Sequence, residues 1–235
     1  MEFGLLDVWR GGWVLAIARG AAITVAVGLC SMALGLVIGT LCGVLKWRRV
    51  PVAAQLVDVY TSLVRGVPEL LIIYLLFFGS VQFVTALAQA FGYAELADAG
   101  YAFVVTVAAI GAISGAYSTE VIRGALAAIP KGQIEAAVAL GMPRRRIYRR
   151  IVAPQTLRIA YPGLNNVWQT TIKDTALVSV VGLQELMRTA FIGAGSTRSP
   201  LIFYTLAAAV YLAITMVSQL GLNRAEAALT PRRKD

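Results

Sequence analysis

Between Gly20 and Leu45 the chain runs for 26 residues without a charged side chain. A helix needs about 20 apolar residues to cross a bilayer core about 30 Å thick. Inside hydrocarbon every backbone N–H and C=O must find a partner within the protein, and a helix satisfies its own. This stretch therefore reads as a helix across a membrane. It is too long for the apolar region of a cleaved leader, and Lys46 and Arg48 follow it as a stop. Gly28, Ser31, Gly35 and Gly39 recur along it every three or four residues. Such a stripe of small side chains lets a second helix approach closely.

The rest of the chain repeats the theme with more irregularity. Residues 53–84 read as one long second helix, kinked near Gly66-Val67-Pro68, because proline removes a backbone donor. Asp58 and Arg65 share a face of that helix, either as a pair buried against protein or as a solvated pair at the interface. Residues 85–100 carry Glu95 and Asp98 but no lysine or arginine, as a periplasmic loop would. The third span covers 101–126 and includes Glu120. An acid at that depth needs a partner or a watery cavity. Arg123, three residues on, offers an ion pair; a substrate role is the alternative. The fourth span, 157–180, is broken by Pro162-Gly163 and dotted with Asn165, Asn166, Gln169, Thr170 and Thr171. A polar, kinked helix avoids lipid and lines a pathway. Residues 184–200 are too polar to span, whereas 201–222 form an uncharged fifth span.

Charge sets the orientation. The net charge is +9, and only 14% of residues are charged, against about 25% in a soluble domain. The cations fall in clusters between apolar runs: Lys46/Arg48/Arg49, Lys131 with Arg144 to Arg150, and Arg232/Arg233/Lys234. That is the positive-inside pattern, and it argues against nucleic-acid binding. Five spans put all three clusters in the cytoplasm, whereas four would put the tail outside. The fold class is thus an all-α polytopic membrane protein of about five transmembrane helices. Residues 1–19 are a periplasmic N-terminal segment with Trp9 and Trp13 at the interface, and 223–235 are a basic cytoplasmic tail.

Several chemistries are excluded. Histidine is absent, which removes a histidine metal site, a Ser-His-Asp triad and a histidine proton relay. Cys30 and Cys42 share the first span and stand about 18 Å apart along a helix, too far for a disulfide. No phosphate-binding loop G-x-x-x-x-G-K-[ST] occurs, so ATP, if used, belongs to another chain. No internal repeat suggests the inverted plan of many secondary transporters.

The most charged stretch is the loop 130–154 between the third and fourth spans. Gln133 to Leu140 read as a short helix, thinned by Ala136, Ala137 and Ala139. Glu135 lies in its first turns, where negative charge suits the helix dipole. Gly141 permits a tight reversal, and Pro143 can open a second short helix. A helix–Gly–helix knob of this kind is shaped to enter a groove on a partner.

The spacing of this loop resembles a family. The pattern E-A-A, three residues, Gly, nine residues, I-x-L-P is similar to the signature loop of ABC importer permeases of the type I fold. Glu135, Ala136, Ala137, Gly141, Ile151 and Pro154 match it, with Ala153 where leucine is usual. The segment Arg65-Gly66-Val67-Pro68-Glu69-Leu70 resembles the R-G-x-P-x-L segment of the polar amino acid subfamily. Lys173-Asp174-Thr175-Ala176-Leu177-Val178-Ser179 resembles its K-D-[ST]-[SA]-L-V-S segment. Asn165-Asn166 and Trp168-Gln169 resemble the histidine/basic amino acid and opine permeases in particular. The likeness covers 20–222.

The resemblance implies a non-catalytic subunit of a bacterial inner-membrane complex. It implies two permease subunits and two ATP-binding subunits that hold ATP and Mg and grip the loop. A periplasmic solute-binding protein would deliver an amino acid or opine. No cofactor is bound directly. Glu135 to Gly141 become the coupling helix, and Arg144 to Arg150 support it or touch lipid headgroups. Asp58, Glu120, Asn166, Gln169 and Thr170 become candidates for the substrate pathway, and Arg65, Gly66, Pro68, Lys173 and Asp174 structural motif residues. The apolar Val167 beside Asn166 favours a paralogous second permease over a homodimer. The alternative is an ion-coupled secondary carrier acting without an ATPase.

Overall fold

The computed structural model describes residues 11–90 and 99–229, and among them every regular element is a helix. Trp9, the loop acids Glu95 and Asp98, and the tail cluster Arg232, Arg233 and Lys234 lie outside the described residues.

Helix α1 spans Trp13–Trp47 and α4 spans Ala99–Ala127. These two form the most extensive helix pair of the chain. The small-residue stripe causes it. A Cβ added at Gly39 would stand 2.5 Å from the Ser118 Cβ, and one at Gly115 would stand 2.9 Å from Ile38 Cγ2. Both backbones therefore sit closer than side chains allow. Hydroxyls stitch the seam, with Ser114 donating to the Ser31 carbonyl at 3.2 Å and Ser31 to the Val107 carbonyl at 3.4 Å. Helix α1 begins seven residues before the expected Gly20. Ile17 and Gly20 are buried there against later parts of the chain, so tertiary packing extends the helix past Arg19.

The expected single second helix is instead two. Helix α2, Ala53–Gly66, and helix α3, Glu69–Ala90, meet at 110°. Val67 between them is extended, φ −111° and ψ 141°, the region into which a following proline forces a residue. The Gly66-Val67-Pro68 signal thus encodes a break rather than a kink.

After α4 come three helical pieces before the fourth long element: α5, Lys131–Ala139; α6, Arg144–Ile147; and a π-helical turn, Tyr148–Val152. Helix α7 follows directly, Ala153–Asp174. It starts earlier than expected and runs through Pro162, where the sequence suggested interruption. Gly163 is pressed on α4, since a Cβ there would lie 2.7 Å from Val121 Cγ1. The chain then tightens into a 3-10 turn, Thr175–Val181, which ends at Gly182 with φ 93°.

Most of the polar stretch 184–200, expected not to span, is a short helix. Helix α8, Leu186–Thr197, buries Leu186, Ala190 and Ala194 against Ile17 and Ala207. Its 12 residues cover about 18 Å, too short to cross a bilayer alone. Helix α9, Pro200–Leu229, continues past the expected end at Leu222 and carries Arg224 and Glu226 on its extension.

Among the described residues three unbroken helices, α1, α4 and α9, are long and apolar enough to cross a membrane. Two bent pairs raise the number to five if each crosses as one: α2 with α3, and the rod Arg144–Val181 with α8.

Candidate functional site

Two features stand out, an arm where α1 and α4 end and a polar cavity between α2, α4 and α7. The arm is α5 and its turn. Its C-terminal end closes with three backbone bonds: Leu140 N–H to the Ala136 carbonyl at 3.0 Å, Gly141 N–H to Val138 at 2.9 Å, and Met142 N–H to Ala137 at 3.0 Å. The last two are the nested pair of a Schellman motif, and Gly141 occupies its left-handed position at φ 72°. The reversal expected at Gly141 is therefore built from backbone alone. Glu135 is the fifth residue of α5, beyond the first turn in which the dipole acts, so its charge does not serve the helix end.

The alanine run divides its faces. Ala137 is only 3% exposed and packs with Ile122, Leu126 and Ile129 of the α4 end and Ile147 and Val152 of the following turns. Gln155 donates to Gln133 at 2.7 Å and ties α7 to α5. Glu135, Ala136 and Gly141 face outward, as does Pro154, while Ile151 is half-buried in the same cluster. The sequence reading missed the tip. Val138 is 59% exposed and Leu140 82% exposed. Two bare aliphatic side chains on a polar, arginine-rich loop are the signal that could have marked it.

The cavity holds about 390 Å³ and is lined by Arg65, Tyr117, Glu120, Asn166, Thr170 and Asp174 among others. Three of the five expected pathway residues, Glu120, Asn166 and Thr170, thus meet two residues read as structural, Arg65 and Asp174. The Arg65 guanidinium lies 5.7 Å from the Tyr117 ring centre, and the Tyr117 hydroxyl donates to Glu69 at 3.1 Å. Gln169 lies elsewhere and donates to Gln219 of α9 at 2.8 Å. Lys173 points away from the cavity and lines a separate recess with Met187 and Tyr204.

Asp58 also lies outside this cavity. It pairs with Lys46 at 2.6 Å rather than with Arg65. Lys46 contacts Glu120 as well, and its ammonium is 3.5 Å from the Thr61 hydroxyl. The three N–H donors of one lysine are thereby shared among α2, twice, and α4. Glu120 is further held by Arg123 at 2.9 Å. Sequence reasoning found the Arg123 pair but read Lys46 as a stop signal and a member of a positive cluster, not as an ion-pair partner, because its partners are 12 and 74 residues away.

A second buried acid was also missed. Glu185 is fully buried at the start of α8. It accepts from the backbone of Met187 at 2.8 Å and Arg188 at 2.7 Å, from Tyr211 of α9 at 2.9 Å and from Thr24 of α1 at 3.3 Å. Its isolation as the sole acid between Asp174 and Glu226 was the available hint.

Long apolar helices around a polar cavity, with a short helical arm bearing exposed apolar side chains at one end, are the parts of a membrane transport subunit. The chain belongs to the family of binding-protein-dependent transport system inner membrane components, whose profile matches residues 35–233. It is 48% identical over 227 residues to a nopaline transport system permease of Agrobacterium fabrum, covering 96% of both chains. It is 45% identical over 214 residues to an octopine transport system permease of Rhizobium radiobacter, covering 91% of this chain and 90% of that one. Identity is 36% over 208 residues to a histidine/lysine/arginine/ornithine transport system permease of Escherichia coli, covering 88% and 90%. Among solved structures, an amino acid ABC transporter with histidines matches at a TM-score of 0.80 and 26% identity, covering 96% of this chain and 99% of that one. This is a permease of an ABC importer, a non-catalytic component, and not a secondary carrier.

Proposed function

We propose that this chain is one of two permease subunits in an ATP-driven importer of the bacterial inner membrane, and that it carries opines or basic amino acids. The relatives transport nopaline, octopine and the basic amino acids by name, which supports the substrate class. Five spans, an N-terminus in the periplasm and a C-terminus in the cytoplasm place the arm beside the ATPase subunits. The five spans follow α1, the bent pair of α2 and α3, α4, the bent pair of Arg144–Val181 with α8, and α9, with the coupling loop at 130–154. A paralogous permease completes the pathway, and a periplasmic binding protein supplies the substrate.

One observation carries the coupling role: the exposed Val138–Leu140 tip on an arm whose base, Ala137, is buried against α4. Bare aliphatic groups gain from burial in a partner groove, and a braced base passes displacement on rather than absorbing it. When the ATPases close, they draw the arms together, and the helices bearing Asn166, Thr170 and Glu120 shift with them. In the cavity, Arg65 offers a guanidinium to a substrate carboxylate and Asp174 a carboxylate to its ammonium or guanidinium group. Glu120, already held by Lys46 and Arg123, is a weaker candidate for that contact than Asp174.

The test is Leu140→Asp in the assembled transporter reconstituted in vesicles. We expect insertion to be retained, the ATPase to dissociate during purification, and ATP-driven uptake to fall at least tenfold. Full uptake by this variant, or wild-type uptake indifferent to ATP, would sink the reading.

A further inference from the structure

Besides the polar cavity, two apolar cavities run along α1 and α7. One, of about 640 Å³, is bounded by Met32, Leu36, Trp168 and Leu222. The other, of about 780 Å³, extends along α1 from Leu36 to Arg48. They share Leu36, Leu157 and Leu164, so together they make one groove. The groove changes character at one end. There Arg48, Arg145 and Arg149 line it, together with Trp47 and Tyr148. The Arg48 guanidinium lies 5.1 Å from the Tyr148 ring centre, and the Trp47 ring meets the same ring edge-on at 6.2 Å. Among the described residues none of the three arginines pairs with a carboxylate.

We propose that this groove binds an anionic phospholipid of the cytoplasmic leaflet, its phosphate among Arg48, Arg145 and Arg149 and one acyl chain along α1. Each half of the site asks for a different part of that molecule. Guanidinium groups bind phosphate oxygens in a fork that ammonium groups cannot match. Tryptophan and tyrosine favour the headgroup level, where one end is apolar and the other wet. A basic pocket between membrane helices on the cytoplasmic side is the setting in which anionic headgroups are held. The length fits as well. From Leu36 to Arg48 helix α1 rises about 18 Å, close to half of a hydrocarbon core about 30 Å thick plus the glycerol level. A free phosphate would leave the apolar wall uncovered, and a zwitterionic lipid would bring a cation against three arginines.

The site lies against the base of the arm. Ile122, Leu126 and Val152 line the groove and also pack around Ala137. A bound acyl chain fills the far side of that cluster and stiffens the arm. The cytoplasmic side rests on the orientation given under Proposed function; the binding itself does not depend on transport.

The experiment is native mass spectrometry of the full chain in mild detergent, exchanged against mixed micelles of phosphatidylglycerol and phosphatidylcholine. We expect one phosphatidylglycerol retained per chain, at least tenfold over phosphatidylcholine. The triple variant Arg48→Gln, Arg145→Gln, Arg149→Gln should lose that preference, and Thr40→Trp, which fills the groove with the arginines intact, should lower retention at least tenfold. Equal retention of the two lipids, or wild-type retention in either variant, overturns the proposal. So does a photo-cross-linker at Thr40 that, in the intact transporter, captures another protein chain instead of lipid. Because none of these readouts needs ATP or substrate, the importer reading and the lipid site can fail separately.

Discussion

Lys46 shows how one side chain can hold a membrane bundle together. Its ammonium joins the end of α1 to Asp58 on α2 and Glu120 on α4, and its side chain is 12% exposed. A charge so placed is tolerated only because it is paired. Lys46→Met leaves two carboxylates facing each other, one of them still held by Arg123. The expected cost is about 1–3 kcal/mol, the range for stranding a partly buried polar partner. A thermal melt of the detergent-solubilised chain reads it. Lys46→Met combined with Glu120→Gln should be more stable than Lys46→Met alone, and a double variant that is less stable would refute the pairing. The acid at this position was visible in the sequence, and so was Arg123, one helical turn away. Lys46 was not, because only the fold brings residues 46, 58 and 120 together.

Among the helices, those with internal signals were legible and those that depend on partners were not. The stripe Gly28, Ser31, Gly35 and Gly39 marked a close helix contact before its partner was known. The Gly66-Val67-Pro68 signal gave the position of a discontinuity but not its 110° turn, which depends on where α4 holds each half. Helix α5 was legible from its alanines and its terminal glycine. Helix α8 was not, since it is short, polar on one side and buried only because Ile17 and Ala207 lie beside it. Its start is fixed by Glu185, whose carboxylate takes four donors from three helices. Glu185→Ala removes the cap and takes the carboxylate acceptor from the Thr24 and Tyr211 hydroxyls, leaving Thr24 the Leu186 N–H and Tyr211 the Thr175 hydroxyl. We expect a loss of about 1–3 kcal/mol, with earlier proteolysis inside 186–197 than elsewhere. An unchanged melting temperature would mean that α8 is held by its apolar face alone. Likewise, the cavity was half legible. Polar residues on α7 announced a pathway, whereas the inclusion of Arg65 and Asp174 needed the fold.

For the whole molecule, the side of the membrane on which the arm lies decides the reading. With Cys30 and Cys42 replaced by alanine and the ATPase subunits not expressed, a cysteine at Leu140 should react with a membrane-impermeant maleimide in inside-out vesicles and stay protected in intact cells. Labelling in intact cells would invert the topology. Charge clusters alone led to this orientation, and the arm's exposed tip gives it a purpose. The helical rod from Arg144 to Val181 then has a mechanical consequence. It begins beside the arm and carries Asn166, Thr170 and Asp174 past the cavity, so no loop separates the two. At about 1.5 Å per residue it is roughly 55 Å long, with a widened π-helical turn at Tyr148–Val152 near its foot. Under the proposed coupling, a push at the foot would reach the cavity wall through one continuous helix, and the π-helical turn is the place in the winding where part of that stroke could be taken up.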